Sequence, residues 1–97
     1  MGKYLLLWEI DQAKVPVDPK ERAVAWTRMM KMVKQDLEKG ITKDWGAIPG
    51  QRGYAISEGT EVEIVKLLQQ YIPYVTFKVH PVVSVSQTDE VLEAMLQ

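Results

Sequence analysis

Residues 53–85, GYAISEGTEVEIVKLLQQYIPYVTFKVHPVVSV, show three structural patterns in succession. The first, Gly53–Glu58, is a short apolar run typical of a strand. The next begins with Thr60-Glu61-Val62-Glu63, whose spacing is that of a capping box, so it predicts a helix start, and Pro73 ends this helix. From Tyr74 to Val85 apolar and polar residues alternate, which predicts a strand. The stretch therefore predicts a strand, a helix and a further strand.

The alternation in the last of these strands predicts two faces of different chemistry. One face is apolar and suits packing against helices: Val75, Phe77 and Val79. The other face is polar: Thr76, Lys78 and His80. A sheet built from this strand is expected to have one side covered by helices and one side open.

Upstream of this stretch, the sequence predicts a first strand, a long helix and a hairpin. Lys3–Ile10 is rich in Leu, Tyr, Trp and Ile and is typical of a buried strand. Asp18-Pro19-Lys20-Glu21 combines an N-cap, a proline at the first helical position and an early acid, and Gly40 ends the helix. Ile41–Ile48 is expected to pair with the strand at residues 53–58 across the turn at Pro49–Arg52.

The long helix has apolar residues at spacings of three and four. These residues, predicted to form its buried stripe, are Ala23, Trp26, Met30, Val33 and Leu37. A short terminal helix is predicted to follow the caps offered by Ser86-Gln87-Thr88.

The order β-α-β-β-α-β, followed by a helix, predicts the α+β ferredoxin-like fold with a four-stranded antiparallel sheet. Both long helices are expected to lie on one face of that sheet, within a single domain over residues 1–97. Because one helix layer cannot cover both faces, we expect a second copy of the chain to cover the open face. The sequence therefore predicts a homodimer joined through the sheet.

Composition limits the function classes. The chain has 97 residues, of which 46% are hydrophobic and 26% charged, as in ordinary globular domains. Its formal net charge of -1 argues against nucleic acid and membrane partners. With no cysteine and one histidine, no disulfide, thiolate nucleophile or Cys- or His-rich metal site is expected, and no metal or cofactor is predicted. The apolar run Leu5–Trp8 is too short for a signal peptide or membrane span, which predicts a cytoplasmic location.

Three segments carry a resemblance to a known group of proteins: Gly53–Glu61, Leu67–Tyr74 and Lys78–Val82. With the element order, they resemble the dimeric α/β-barrel superfamily, and within it the small muconolactone-isomerase-like domains and short uncharacterised proteins of the same layout. The resemblance implies a dimer in which two sheets face each other to form a barrel. Members range from isomerases and cofactor-free monooxygenases to proteins with no known reaction, and no acid–base residue of the isomerase maps onto a position here.

Two residues are candidates for acid–base catalysis. His80 is the one histidine, the side chain type that titrates near neutral pH, so it could act as a general base or bind a substrate. Glu9 interrupts an apolar run beside Trp8, where burial would favour the protonated form that an acid catalyst needs. The alternatives are an interface role for His80 and a solvent-exposed strand end for Glu9. Asp11 and Asp44 are weaker candidates of the same kind.

Aromatic residues are the candidates for ligand binding. Trp8, Trp45 and Tyr54 are predicted to form part of a pocket wall, although Trp45 and Tyr54 could equally pack against each other across their hairpin. Three methionines of the long helix could line an adaptable cavity or fill gaps in the core: Met29, Met30 and Met32.

These observations leave three functional hypotheses. The first is a dimeric protein that binds a small organic molecule in a pocket between helices and sheet, lined by Trp8, Trp45, Tyr54 and His80. The second is an isomerase or cofactor-free monooxygenase in which His80 or Glu9 moves a proton on a cyclic or unsaturated acid. The third is a structural or regulatory interaction module without a pocket. The first requires Trp45 and Tyr54 to face the same cavity as His80 or Glu9.

Overall fold

A computed structural model describes residues 2–97 and shows the predicted α+β architecture. Four strands form one antiparallel sheet in the order β2-β3-β1-β4, which matches a ferredoxin-like arrangement. The elements are β1 Gly2–Ile10, α1 Pro19–Lys39, β2 Thr42–Ile48, β3 Arg52–Gly59, α2 Glu61–Gln69, β4 Val75–Val82 and α3 Val85–Leu96, with a single 3-10 turn at Gln12–Lys14.

Local capping fixes where α1 and α2 begin. The Asp18 side chain accepts a hydrogen bond from the Glu21 backbone N–H at 3.1 Å, and Pro19 occupies the first turn of α1. Gly40 ends α1 in the left-handed conformation with φ 80°, which other residues adopt only at a cost. The predicted capping box of α2 is confirmed, because Thr60 and Glu63 exchange both of its hydrogen bonds.

The register of the strands decides which side chains face the helices. Trp8 of β1 lies opposite Gly53 of β3 and Phe77 of β4, and these positions share the helix side of the sheet. Leu7 lies opposite Tyr54 and Lys78 and faces the other side. We call this second side the open face. The same parity puts Val75, Phe77 and Val79 on the helix side, and Thr76, Lys78 and His80 on the open face, as predicted.

The predicted buried stripe of α1 is wrong by about one residue at both ends. Ala23 is exposed and Leu37 is 40% exposed, whereas Met29 and Asp36 are buried beside Val33. Spacings of three and four allow either alignment of the stripe, and the apolar Leu37 favours the wrong one. Asp36 therefore takes the inward position that the sequence assigned to leucine.

The predicted boundary between the last strand and the terminal helix is also wrong. β4 ends at Val82 and α3 begins at Val85, because Ser84 is the N-cap and exchanges both capping-box hydrogen bonds with Gln87. Val83 and Val85 continue the alternation of β4, which extends the predicted strand too far.

α3 has no buried residue, and the whole molecule measures 61 × 25 × 19 Å. The helix therefore projects from the body of the protein rather than packing on it. Its exposed apolar side chains are Val85, Val91, Leu92, Met95 and Leu96. Within residues 2–97, no helix is long and apolar enough to cross a membrane.

Candidate functional site

A cavity of about 50 Å³ lies between the helix side of the sheet and the helices α1 and α2. All four strands contribute to its floor, and most of its lining is apolar. Five aromatic side chains line it: Trp8, Trp26, Trp45, Tyr71 and Phe77. The cavity therefore lies within the core and has aromatic rings in its wall, and we call it the aromatic cavity.

The aromatic rings of the cavity pack in defined geometries around Trp8. Trp8 and Trp45 are stacked, with ring centroids 5.3 Å apart and planes 10° apart. Trp26 meets Trp8 edge-on at 6.5 Å. The Trp8 indole is held in place because its Nε1–H donates a hydrogen bond to the Tyr54 backbone carbonyl at 3.2 Å. Trp8 of β1 and Trp45 of β2, the strands on either side of β3, thus pack together with Trp26 of α1.

Gly53 makes room for this arrangement. It lies opposite Trp8 in the β1–β3 register. A Cβ atom at Gly53 would overlap the Trp8 ring and the Gly46 carbonyl oxygen. Glycine is therefore the residue that lets the Trp8 indole lie flat over β3.

Half-buried side chains mark where the cavity approaches solvent. Trp26, Met30 and Trp45 line it and are only partly buried, whereas Met29 is buried. Methionine is unbranched and adapts its shape readily. The α1 wall of the cavity is therefore its most adaptable side.

One carboxylate, that of Asp36, lines the mostly apolar cavity. Asp36 is 3% exposed. The Tyr71 hydroxyl donates a hydrogen bond to its Oδ2 at 2.7 Å, and Gln70 Nε2 donates to its Oδ1 at 3.3 Å. Burial raises the pKa of Tyr71, and the hydrogen bond to Asp36 raises it further, so Tyr71 stays protonated and acts as a donor.

Sequence reasoning missed Asp36. The available signal was its spacing from Val33, three residues earlier on the buried side of α1. A polar residue at such a position is unusual and marks a special environment.

The structure brings together two of the predicted ligand-binding residues and separates the third. Trp8 and Trp45 both line the cavity, on the helix side of the sheet. Tyr54 lies on the open face, where its hydroxyl donates a hydrogen bond to Asp44 Oδ2 at 3.0 Å. This hydrogen bond raises the pKa of Tyr54. Trp45 and Tyr54 therefore do not share one cavity.

The two predicted catalytic residues lie on the open face as well. His80 is opposite Leu5, and Glu9 is opposite Thr76, so the two are separated by four residues along β1, or about 13 Å. Both are exposed, and Glu9 forms an ion pair with Arg52 at 3.9 Å. Neither lines the aromatic cavity, and their catalytic assignment stays a prediction.

An open groove of about 380 Å³ lies at the Glu9 end of the open face. Leu7, Ile48, Arg52 and Lys78 contribute to it together with Glu9. Across residues 2–97, no three metal-ligating side chains come together in a cluster.

The element order and the single antiparallel sheet define a ferredoxin-like α+β domain, with a partly open aromatic cavity between the sheet and the helices. A family model described as a domain of unknown function (DUF3303) matches residues 2–96. The chain therefore belongs to the DUF3303 family. No curated protein matches the chain.

Proposed function

We propose that this protein binds a small organic molecule in the cavity between its helices and its sheet. The observation that carries the proposal is the stacked pair of Trp8 and Trp45, which forms a flat apolar wall beside an internal space. Aromatic walls with few polar groups are what small-molecule sites use. A planar or unsaturated ligand fits such a wall best, because offset stacking favours flat partners.

The size of the cavity indicates how a ligand enters. Small-molecule pockets usually measure about 300–1,000 Å³, whereas a single water needs only about 10–15 Å³. The cavity of about 50 Å³ therefore has room for only a few atoms unless its walls move. Rotation of Met30 and Trp26, both half-buried on α1, enlarges it on binding.

Because three tryptophans line the cavity, tryptophan fluorescence can report the binding of a ligand there. We expect saturable quenching on titration with small aromatic molecules, and stabilisation of the folded protein against heat by the same ligands. Trp45→Ala removes one half of the stacked pair and is expected to weaken binding by about tenfold. Tyr54→Phe is the matched control, because Tyr54 lies on the other side of the sheet. Equal affinity in Trp45→Ala and the wild type contradicts binding in this cavity.

We also propose that the protein is a homodimer whose subunits meet through their open faces. The centre of this face is apolar and is formed by Leu5 and Leu7 of β1 beside Tyr54 and Ile56 of β3. Charged side chains surround the centre in ion pairs at its two ends: Lys3–Glu58, Lys43–Glu58 and Arg52–Glu9. An apolar centre with a polar rim is the usual anatomy of a protein interface.

The size of the open face indicates that the sheet alone is a small interface. Four strands about 4.8 Å apart and about eight residues long cover about 500 Å². A standard interface uses about 800 Å² per partner. The apolar side chains of α3 provide further surface for the partner subunit, and His80 then lies within the interface.

A further inference from the structure

We infer that the ligand of the aromatic cavity carries a protonated amine, which binds to the Asp36 carboxylate. This inference rests on the proposed function, because it assigns the ligand class of the same cavity. It follows from the hydrogen bonds of Asp36, from the ion pairs of the protein and from the aromatic rings that line the cavity with Asp36.

Asp36 is buried without a cationic partner. Its two hydrogen-bond donors, the Tyr71 hydroxyl and the Gln70 side-chain amide, are both neutral. In the part of the chain that the structure describes, the ion pairs are those of Glu58 and Glu9, and none involves Asp36. A buried carboxylate is costly unless a positive charge or several donors compensate it. A ligand cation supplies that charge.

The carboxylate also has spare hydrogen-bonding capacity. A carboxylate offers about four lone-pair positions. Asp36 receives one donor on each oxygen. An ammonium group has three N–H donors and can use the remaining positions without displacing Tyr71 or Gln70. The site therefore accepts a cation in addition to its present contacts.

The aromatic lining favours the same charge. Tyr71 and Phe77 meet edge to face, with ring centroids 6.0 Å apart, and both line the cavity with Asp36. The faces of aromatic rings attract cations. An anionic ligand would meet the Asp36 carboxylate in an apolar space, where like charges repel strongly. The cavity is thus suited to amines and unsuited to carboxylic acids.

The spacing of the α1 residues that line the cavity indicates how a ligand lies in it. Trp26 and Asp36 both line it and are ten residues apart on α1, which corresponds to about 15 Å along the helix. Met29 and Val33 lie between them on the same buried side. An arylalkylamine with its amine at Asp36 therefore extends its ring along this wall towards the tryptophans.

Three probes of similar size and different charge test the inference: 2-phenylethylammonium, 2-phenylethanol and phenylacetate. We expect the wild-type protein to bind the ammonium probe at least about tenfold more tightly than the alcohol. A hydrogen bond between charged groups strengthens binding by about this factor relative to one from a neutral hydroxyl. Phenylacetate is expected to bind most weakly. Tryptophan fluorescence and thermal melting report binding for all three.

Asp36→Asn removes the charge but keeps an oxygen that can accept from Tyr71. In this variant the alcohol should bind as it does to the wild type, and the preference for the ammonium probe should be lost. Asp44→Asn is the matched control on the open face and should keep the preference. If Asp36→Asn does not fold, the order of the three probes on the wild type decides the question alone.

The outcomes separate the two proposals. The amine assignment is overturned if the wild type binds the ammonium and alcohol probes equally well. If Trp45→Ala weakens the binding of both, the cavity is still a binding site. Asp36 then only connects α1 to the turn after α2. Failure of all three probes to bind overturns the amine assignment, and failure of every aromatic molecule in the wider titration overturns the proposed function too.

Discussion

The hydrogen bond between Tyr71 and Asp36 joins the turn after α2 to α1 inside the core. Tyr71→Phe removes the donor and leaves Asp36 Oδ2 without its shortest contact, at an expected cost of about 1–3 kcal/mol in the free energy of unfolding near neutral pH. The variant is expected to fold, because the ring of Tyr71 and its packing against Phe77 are retained.

The pH dependence of this cost follows from the raised pKa of Tyr71. The unfolded tyrosine titrates near 10.0, whereas the folded one, buried and bonded to Asp36, keeps its proton to higher pH. The contribution of Tyr71 to stability is therefore complete below pH 10.0 and decreases as the pH rises above that value. Urea unfolding should show a stability difference between wild type and Tyr71→Phe that narrows as the pH rises from about 10 to about 11. A difference that stays constant over this range is inconsistent with the buried pair.

Gly53 provides a second test at the residue scale. Gly53→Ala introduces a methyl group into the Trp8 ring and the Gly46 carbonyl oxygen, so we expect destabilisation by about 1–3 kcal/mol and a changed tryptophan fluorescence spectrum. Gly40→Ala is the control for the fluorescence spectrum only. A Cβ there approaches only Lys43, at 3.9 Å, so the spectrum should not change, although the left-handed backbone of Gly40 makes this variant about 1 kcal/mol less stable. Unchanged fluorescence and stability in Gly53→Ala would show that Trp8 does not lie over β3.

The sequence predicted some of the site residues and missed others for definable reasons. Trp8 and Trp45 were identified because large aromatic residues on strands usually face a core or pocket. Tyr54 was assigned to the same cavity because the type of a residue does not reveal which face of the sheet its side chain lies on. An irregularity in the register between Thr42 and Asp44 decides which β2 residues face the helices. Asp36 was missed because hydrophobicity favours Leu37 as the inward residue of α1.

At the scale of elements, the N-cap of α2 is the clearest test. Thr60→Ala removes the side-chain oxygen that accepts from the Glu63 backbone N–H at 3.2 Å. We expect a loss of about 1 kcal/mol, which corresponds to a melting temperature about 4–8 °C lower in a domain of this size. Thr27→Ala, at an exposed position within α1, is the matched control and should not lower the melting temperature. Equal melting temperatures for Thr60→Ala and the wild type would contradict the capping box.

α3 gives a test of a different kind. Because none of its residues is buried, a chain ending at Ser84 is expected to keep its circular dichroism signature of sheet and helix apart from the lost helix. If α3 covers the partner subunit, the same truncation should weaken the dimer by at least about tenfold, as the loss of several buried apolar side chains implies. A truncated chain that unfolds, or one that dimerises as tightly as the full chain, contradicts this placement of α3.

Strong local signals explain why the elements were predicted well. Asp18-Pro19 and the Thr60 capping box mark helix starts through hydrogen bonds between neighbouring residues, which sequence alone reveals. The end of β4 was predicted less well because Val83 and Val85 continue an alternation that the Ser84 capping box interrupts. The alternation favours a strand and the capping box favours a helix at the same residues. The spacing of residues does not show which of the two structures is more stable there.

At the scale of the whole molecule, the open face predicts a dimer. Sedimentation equilibrium at micromolar concentration should show twice the chain mass of 11.1 kDa. Leu7→Glu places a charge at the apolar centre of the open face, where two copies of it would meet in the dimer, and should shift the equilibrium to monomer without unfolding the chain. Leu6→Glu cannot serve as a control because Leu6 is in the core, so Val62→Glu, exposed on α2, takes that place. A wild-type mass near that of one chain contradicts the dimer.

The fold as a whole was predictable because β-α-β-β-α-β order permits few right-handed, short connections. The lining of the predicted pocket between helices and sheet was only partly predictable: Trp8 and Trp45 line the cavity, whereas Tyr54 and His80 do not. The shape of the cavity depends on how Trp8, Trp26 and Trp45 pack and not only on which residues are present. Ligand binding in this cavity is the central feature of the proposed function.

Nuclear magnetic resonance of the indole N–H groups tests that feature most directly, because the protein has 3 tryptophans and all of them line the cavity. During titration with the aromatic probe that binds most tightly, the Trp8 and Trp45 signals should shift together and saturate, while the ring signals of His80 on the open face stay in place. If the indole signals stay fixed while the His80 signals shift, the ligand binds on the open face and the cavity is part of a closed core.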